Sequence, residues 1–157
     1  MSIIAEHSDL TIQQMARHTG LAESALRYYE RIGLIDAVPR DESSGHRRYP
    51  PDLVAAVEAL SCLRGTGMSV QDMRTYVANM RRGLIAAADQ RELFACHADR
   101  LRGEIARMRL REGYVSAKAE LWAAREQGDA AAEAAISATV HELIGQLLRE
   151  EADLRHE

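Results

Sequence analysis

The sequence lacks the features on which several protein classes depend. Its 157 residues include only two cysteines, Cys62 and Cys96, which are too few for a disulfide framework or for a four-ligand zinc site within one chain. No apolar run approaches the ~20 residues that cross a bilayer, and residues 1–9 lack the basic and then apolar segments of a signal peptide. We therefore expect a cytoplasmic protein that makes no membrane contact.

Aromatic residues make up only 4% of the chain and hydrophobic residues 46%, so we expect a small aliphatic core. The net charge of -4 is not the strongly basic balance that by itself indicates nucleic-acid binding, and any DNA contact must come from locally placed residues. The six histidines are scattered, and no nucleophile–base pair, phosphate-binding loop or set of metal ligands is present. We expect no enzymatic activity, no catalytic residue, no metal and no cofactor.

Two short helices are predicted near the N-terminus. Thr11 and Gln14 have the spacing of a capping box, and Gly20 is placed to end the first helix. A second helix is predicted from Glu23 to Ile32. Two helices joined by so short a turn are typical of a helix-turn-helix, although such a pair also arises by chance.

The second predicted helix has two chemically different faces. Leu26 and Tyr29 are three residues apart and can pack on the first helix. The other face carries hydroxyl and guanidinium groups, which contact phosphates and base edges. It consists of Ser24, Arg27, Tyr28 and Arg31. We interpret this face as a DNA-contacting surface, and the alternative is a solvated face with incidental arginines.

Residues 34–49 predict a small β-hairpin, because two short extended arms flank a polar loop from Asp41 to Gly45. A hairpin beside a helix-turn-helix is a wing, whose basic residues reach a DNA backbone or minor groove. Those residues are Arg40, His46, Arg47 and Arg48. The alternative is an ordinary surface loop.

Two more helices are predicted before residue 81. The third begins at Pro50 and Pro51, where proline is tolerated, and ends at Gly65. Its Cys62 is predicted to lie in the core. The fourth has Ser69 as its N-cap.

A long helix is predicted over residues 88–126, with a length of ~58 Å. Its apolar residues alternate in steps of three and four, interrupted at Glu112, as in a coiled coil. They are Phe94, Ala98, Leu101, Ile105, Met108, Val115, Ala119 and Trp122. We expect a second chain to cover this seam. Alternatively, the seam is covered by the chain's own C-terminal segment, for which a last amphipathic helix is predicted.

The first 80 residues resemble the DNA-binding domain of the MerR family of bacterial transcription regulators. The most specific part of the resemblance is the run Arg27-Tyr28-Tyr29-Glu30, followed by Gly33-Leu34. The other matching residues are Thr11, Ile12, Ala16, Thr19, Gly20, Leu26, Ile35, Arg40, Gly45, Arg47, Tyr49, Leu53, Leu63, Arg64, Gly67, Met68 and Ser69.

The resemblance implies a mainly α-helical homodimer. Residues 1–80 would form a winged helix-turn-helix domain with a β-hairpin wing, residues 81–127 a linker and a long dimerisation helix, and residues 128–157 a short C-terminal helical segment. Such regulators bind a pseudo-palindromic element of double-stranded promoter DNA, and they bend and untwist it so that RNA polymerase can use the promoter. Together with the basic wing, the resemblance points to DNA contacts by Arg17, Ser24, Arg27, Tyr28, Arg40, Gly45, His46, Arg47, Arg48, Tyr49 and Arg64.

Three positions depart from the family pattern. Ala22 stands where a serine usually caps the recognition helix, and the loss of a capping side chain costs about 1 kcal/mol of helix stability. Ala25 replaces a common threonine and removes a hydroxyl from the DNA-facing side. His46 replaces a common tyrosine of the wing. These three departures leave the family resemblance intact and affect individual DNA contacts and the affinity for DNA.

The sequence leaves open which signal the protein senses. A small-molecule effector is the first hypothesis, with Tyr114 and Trp122 as the aromatic residues toward the end of the long helix. One alternative is metal or thiol-redox sensing through Cys96, but residues 122–135 contain no Cys or His to complete a metal site. Another is a DNA-architecture or excision factor without an effector, and such proteins usually lack a long helix.

Overall fold

The computed structural model describes residues 9–155, with only the backbone of Leu154. The fold is mainly α-helical, as predicted. Its helices are α1 (Ile12–Thr19), α2 (Glu23–Arg31), α3 (Pro51–Gly65), α4 (Val70–Arg82), a short 3-10 helix (Gly83–Ala86), α5 (Ala87–Gln127) and α6 (Ala130–Leu154). None of these helices combines the length and the apolar character that crossing a membrane requires.

The chain divides into two compact units, one that ends at Ala95 and one that begins at Cys96. In the first unit, α1 and α2 form the predicted helix-turn-helix. The capping box is confirmed, because the Gln14 backbone N–H donates to the Thr11 hydroxyl and the Thr11 N–H donates to the Gln14 side chain. Gly20 ends α1 in the left-handed region at φ 72°, where a residue without a Cβ is favoured.

The core of the first unit is aliphatic, as the composition predicts. Leu26 and Tyr29 of α2 are buried in it, and it joins helices α1, α2, α3 and α4. Its largest fully buried side chains are Met15, Leu26, Tyr29, Leu34, Tyr49, Val54, Val57, Leu60 and Met73. The prediction that Cys62 lies in this core is wrong, because Cys62 is exposed. It lies about 200° around α3 from buried Leu60, at ~100° per residue.

The predicted β-hairpin is not confirmed as a pair of strands. Residues 39–49 form a turn closed by one isolated antiparallel bridge between Arg40 and Arg47, and a second bridge joins Leu10 to Tyr49. The polar turn begins directly after Arg40, and Pro39 has no N–H to extend a ladder. These residues are called the wing loop below, since they occupy the position predicted for the wing.

The second unit is a pair of helices from one chain. Gly128 and the N-cap Asp129 reverse the chain after α5, and α6 packs back on α5. The small core between them contains Tyr114, Ala117, Leu121, Ile136, Val140 and Leu143. Ion pairs flank this core, with Arg125 Nε 2.7 Å from Glu133 Oε1 near the turn and Arg107 Nε 3.7 Å from Glu150 Oε1 at the other end. The C-terminal helix therefore packs on its own chain.

Candidate nucleic-acid interface

Helix α2 turns one face into the core and the other to solvent. Leu26 and Tyr29 are buried. Ser24, Arg27 and Tyr28 lie on the opposite face of the helix and are exposed. Nη2 of Arg27 lies 2.8 Å from Oε2 of Glu23, one helical turn earlier. This exposed pair is weak, so Arg27 can exchange its partner for a phosphate or a base at little cost.

A cavity of about 400 Å³ lies between α1, α2 and the wing loop. Arg27 of α2 lines it together with residues of the wing loop and of the first turn of α1. The lining residues are Thr11, Ile12, Gln13, Arg27, Arg40, Gly45, His46, Arg47 and Arg48. Four arginines and the N-terminus of α1 line it, a composition that favours anions. Glu23, Glu30 and Asp41 pair with Arg27, Arg47 and Arg48, so an incoming anion competes with these carboxylates for the guanidinium groups. We call this cavity the wing-side cavity.

A second cavity, of about 520 Å³, lies at the turn between α1 and α2. The predicted residues Ser24, Tyr28 and Arg64 line it with Gly20, Leu21, Ala22 and Ala25. Nη1 of Arg64 donates to the hydroxyl of buried Tyr29 at 3.3 Å, which holds this arginine of α3 beside α2. Ala22 leaves the N-terminus of α2 without a side-chain cap, as its position predicted.

Glu30 attaches the wing loop to α2, a role that the sequence did not reveal. Its Oε2 accepts from Nε of Arg47 at 2.8 Å, and its Oε1 accepts from the N–H of Val38 at 3.1 Å. Burial raises the pKa of this carboxyl, but the hydrogen bonds from Arg47 and Val38 and the charges of Arg47 and Arg40 outweigh burial, so the pKa is lowered. The only signal was its place in the run that carries the family resemblance.

Asp41 organises the tip of the wing loop. Its carboxylate accepts from the hydroxyls and backbone N–H groups of Ser43 and Ser44. The Ser43 hydroxyl, the Ser44 backbone and the Ser44 hydroxyl are the main reasons why the pKa of Asp41 is well below its usual range. Gly45 completes the turn at φ 68°, and its carbonyl accepts from Nη1 of Arg40 at 3.0 Å.

Two predicted DNA-contacting residues lie outside both cavities. Tyr49 is fully buried, and its hydroxyl has no hydrogen-bond partner in the described structure. Burial, helped by the negative charge of Glu30, raises the pKa of Tyr49. The structure therefore places this side chain in the core and not at the surface. Arg17 is exposed on the last turn of α1 and lines neither cavity.

The residues considered for effector sensing are not gathered into one site. Tyr114 is partly buried against the small core of α5 and α6. Trp122 is 61% exposed, with the Arg125 guanidinium carbon 4.9 Å from its ring centre. Cys96 is exposed, and within residues 9–155 no three Cys, His, Asp or Glu side chains are grouped so as to hold a metal ion.

Residues 10–80 match the family described as "MerR HTH family regulatory protein". Among curated proteins, the chain is 33% identical over 92 residues to the HTH-type transcriptional regulator AdhR of Bacillus subtilis, covering 59% of this chain and 65% of that protein. It is 40% identical over 75 residues to the HTH-type transcriptional activator SoxR homolog of Chromobacterium violaceum, covering 48% of this chain and 49% of that protein. The chain thus spans less than two thirds of each of these relatives.

A solved structure similar to this fold is that of HiNmlR, described as a MerR family regulator that lacks the sensor domain and is bound to promoter DNA. The TM-score is 0.65 and the sequence identity 25%, and the match covers 82% of this chain and 96% of that one. The similarity extends beyond the helix-turn-helix into the long-helix region.

Proposed function

We propose, from the match of residues 10–80 to the family described as "MerR HTH family regulatory protein", that this chain binds promoter DNA as a transcriptional regulator of that family. The wing-side cavity is the observation that carries the proposal, because it brings Arg27 of α2 together with the arginines of the wing loop. Phosphate contacts from such a site set the position of a protein on DNA, and exposed side chains of the recognition helix read bases.

The proposed DNA-contacting residues separate into two groups. Ser24, Arg27, Tyr28 and Arg64 surround the exposed side of α2, and Arg40, Gly45, His46, Arg47 and Arg48 belong to the wing loop. Arg17 is a peripheral phosphate contact in this proposal. Tyr49, the last residue of the wing loop, makes no DNA contact in this proposal, because its side chain is buried in the core.

The regulator is proposed to act as a homodimer paired along α5. The seam residues Ile105, Met108, Val115 and Trp122 are 49%, 62%, 65% and 61% exposed in the single chain. Helix α6 covers a different face of α5, with Ala117 and Leu121, so it leaves these four seam residues uncovered. The first predicted seam residue, Phe94, lies instead against Tyr76 of α4. Contiguous exposed apolar residues of this kind mark a protein–protein interface. The division into residues 1–80, 81–127 and 128–157 remains our proposal for the functional segments.

We further propose that the dimer distorts a pseudo-palindromic promoter element and so changes its use by RNA polymerase. Bending and untwisting DNA cost a few kcal/mol, which an effector bound to the dimer can supply. A small molecule beside the exposed Trp122 is the first proposal for that effector. A thiol-based signal through the exposed Cys96 is the second.

The decisive experiment is selection of bound duplexes from a random DNA pool by the purified protein. Recovery of one interrupted inverted repeat supports a symmetric dimer that reads two half-sites. Recovery of only salt-sensitive, sequence-independent binding contradicts the proposal for the effector-free protein.

The selected duplex then tests Arg27. Arg27→Ala is expected to weaken binding by about 1–3 kcal/mol for each base that the guanidinium recognises, and Arg27→Lys to restore charge without bidentate recognition. Arg149→Ala removes the same charge from an exposed position of the second unit and is the matched control. An equal loss of affinity in Arg27→Ala and Arg149→Ala indicates a nonspecific charge effect and removes Arg27 from the interface.

A further inference from the structure

The joint between α4 and α5 contains two hydrogen-bonded amides within the first unit, the buried Asn79 and the partly buried Gln90. Asn79, in the last turn of α4, is only 6% exposed. Its Nδ2 donates to Oε1 of Gln90 in α5 at 3.1 Å, and its Oδ1 accepts from Nη1 of Arg82 at 3.4 Å. Gln90 in turn donates through Nε2 to the carbonyl of Tyr76 at 3.4 Å. Both ends of both amides are thus occupied.

Further contacts surround these amides. Nη1 of Arg82 donates to Oδ2 of Asp89 at 2.6 Å, and the rings of Tyr76 and Phe94 meet edge to face with their centres 5.9 Å apart. We call the six residues that join α4 to the first turns of α5 the α4–α5 clasp. They are Tyr76, Asn79, Arg82, Asp89, Gln90 and Phe94.

The backbone between α4 and α5 also has a conformation that depends on particular residues. Gly83 follows α4 with φ 67° and ψ -148°, a region open essentially to glycine alone. Ala86, in the short 3-10 helix that follows, is 1% exposed. The chain therefore makes one sharp, defined change of direction before α5 begins.

The polar contacts of the clasp restrict the relative rotation of α4 and α5 more than apolar packing would. Burial of apolar surface is non-directional, so a leucine pair would hold α4 to α5 while tolerating small rotations. Hydrogen bonds require defined distances and angles. Buried polar groups gain little net stability over apolar ones, and their best-attested use is to specify register. The Asn79–Gln90 pair is therefore suited to orienting the end of α4 against the first turns of α5.

We propose that the α4–α5 clasp sets the spacing between the two half-sites that the dimer accepts. The inference rests on the proposed function, in which two DNA-reading units are joined through paired α5 helices. In such a dimer a rotation at this joint displaces each DNA-reading face, and half-site spacing is a geometric property of the protein. Asn79 and Gln90 act through this geometry as positioning residues and make no DNA contact.

The test measures binding of the full-length protein to a series of duplexes. Each duplex carries the selected inverted repeat with its central spacer lengthened or shortened by single base pairs, and a further duplex carries one isolated half-site. The variants are Asn79→Leu and Gln90→Leu, which remove the amide pair and keep apolar bulk. Gln71→Leu, the same change at an exposed position of α4, is the matched control. Thermal unfolding is recorded for every protein.

We expect wild type and Gln71→Leu to prefer one spacing sharply. In Asn79→Leu and Gln90→Leu the ratio between the preferred spacing and its neighbours falls by about tenfold, the equivalent of one or two hydrogen bonds. Affinity for the isolated half-site stays close to that of wild type, while the melting temperature falls moderately, because each single change leaves the other amide without its partner. A merely structural role would instead weaken binding to all duplexes together, including the isolated half-site.

An unchanged spacing profile in both clasp variants overturns the inference, as does parallel weakening on every duplex including the half-site. If Asn79→Leu fails to fold, the result for the less buried Gln90 decides, and loss of folding in both variants assigns the clasp to folding and also overturns the inference. A wild-type protein that binds no inverted repeat contradicts the proposed function itself, which is a separate outcome of the same series.

Discussion

Glu30 holds Arg47 of the wing loop and the backbone N–H of Val38, just before that loop, through its two carboxylate oxygens. Because its pKa in the folded state is below the ordinary value of 4.5, the ionised carboxylate stabilises the fold above that pH. This stabilisation is lost as the pH falls through the lowered pKa. Since the side chain is only 19% exposed, the interaction with Arg47 is less screened than a surface ion pair.

We expect Glu30→Gln to lower the free energy of unfolding by about 1–2 kcal/mol at neutral pH. The difference from wild type should shrink as the pH falls through the lowered pKa of Glu30, because the wild-type carboxyl then becomes neutral like the glutamine side chain. Urea unfolding at several pH values measures it. Glu42→Gln, at an exposed position of the wing loop, is the control, and an equal, pH-independent effect of both changes would contradict this role of Glu30.

Tyr49 and Tyr28 form a matched pair of tyrosines with opposite environments. Tyr49→Phe removes a buried hydroxyl that has no partner in the described structure. We expect the free energy of unfolding to stay unchanged or to rise by up to ~1 kcal/mol, with DNA affinity unchanged.

Tyr28→Phe removes an exposed hydroxyl beside the DNA-facing side of α2 and should weaken DNA binding without changing stability. Loss of DNA affinity in Tyr49→Phe would return Tyr49 to the interface.

At the level of single elements, α2 differs from α1 and α4 in how its N-terminus is capped. Thr11 caps α1 and Ser69 caps α4, each by accepting a backbone N–H. Ala22 occupies the same position in α2, with the extended φ -65° and ψ 146° of an N-cap but no side-chain acceptor. The backbone at this position therefore already has the conformation in which a serine or threonine side chain could cap α2.

We expect Ala22→Ser to raise the free energy of unfolding by about 1 kcal/mol, because the serine hydroxyl would accept one of the unpaired N–H groups of α2. Ala78→Ser, at an exposed interior position of α4, should lower it by about 0.5 kcal/mol through helix propensity alone. Chemical denaturation of the three proteins gives both values. Stabilisation by the two changes alike would exclude capping as the cause.

For the molecule as a whole, α5 has two apolar faces and α6 covers only one. The 41-residue helix buries Ala117, Leu121 and Ala124 and leaves the seam residues Met108 and Val115 exposed. A charge on the seam therefore has little effect within one chain. In a dimer the same charge would be buried without a partner, which is costly.

We expect Met108→Glu to convert a dimer into a monomer at micromolar concentration without loss of helical content. Ala106→Glu introduces the same charge two residues away, at an exposed position off the seam, and should leave the dimer intact. Light scattering after gel filtration gives the two masses, and circular dichroism gives the helical content. A wild-type monomer, or a Met108→Glu dimer, would contradict pairing along α5.

The sequence by itself determined the six α-helices, but not the short 3-10 helix Gly83–Ala86. Capping boxes, left-handed glycines and apolar spacing act within three or four residues of the chain, so Thr11, Gly20 and Ser69 could be interpreted without a structure. The same holds for the two faces of α2 and for the seam of α5. The ordered residues around Arg27 and Gly33 carried the family resemblance, and residues 10–80 match the model of that family.

Only the tertiary structure decided which residues meet across longer separations. Arg47 reaches Glu30 from 17 residues away, and Arg64 reaches Tyr29 from 35 residues away. It also turned Tyr49 into the core and Cys62 to solvent, and it reduced the expected hairpin to single bridges. The physical reason is that such contacts depend on how helices pack, which no local spacing encodes. Burial then decides whether a polar side chain serves as an anchor of the fold or remains exposed for DNA.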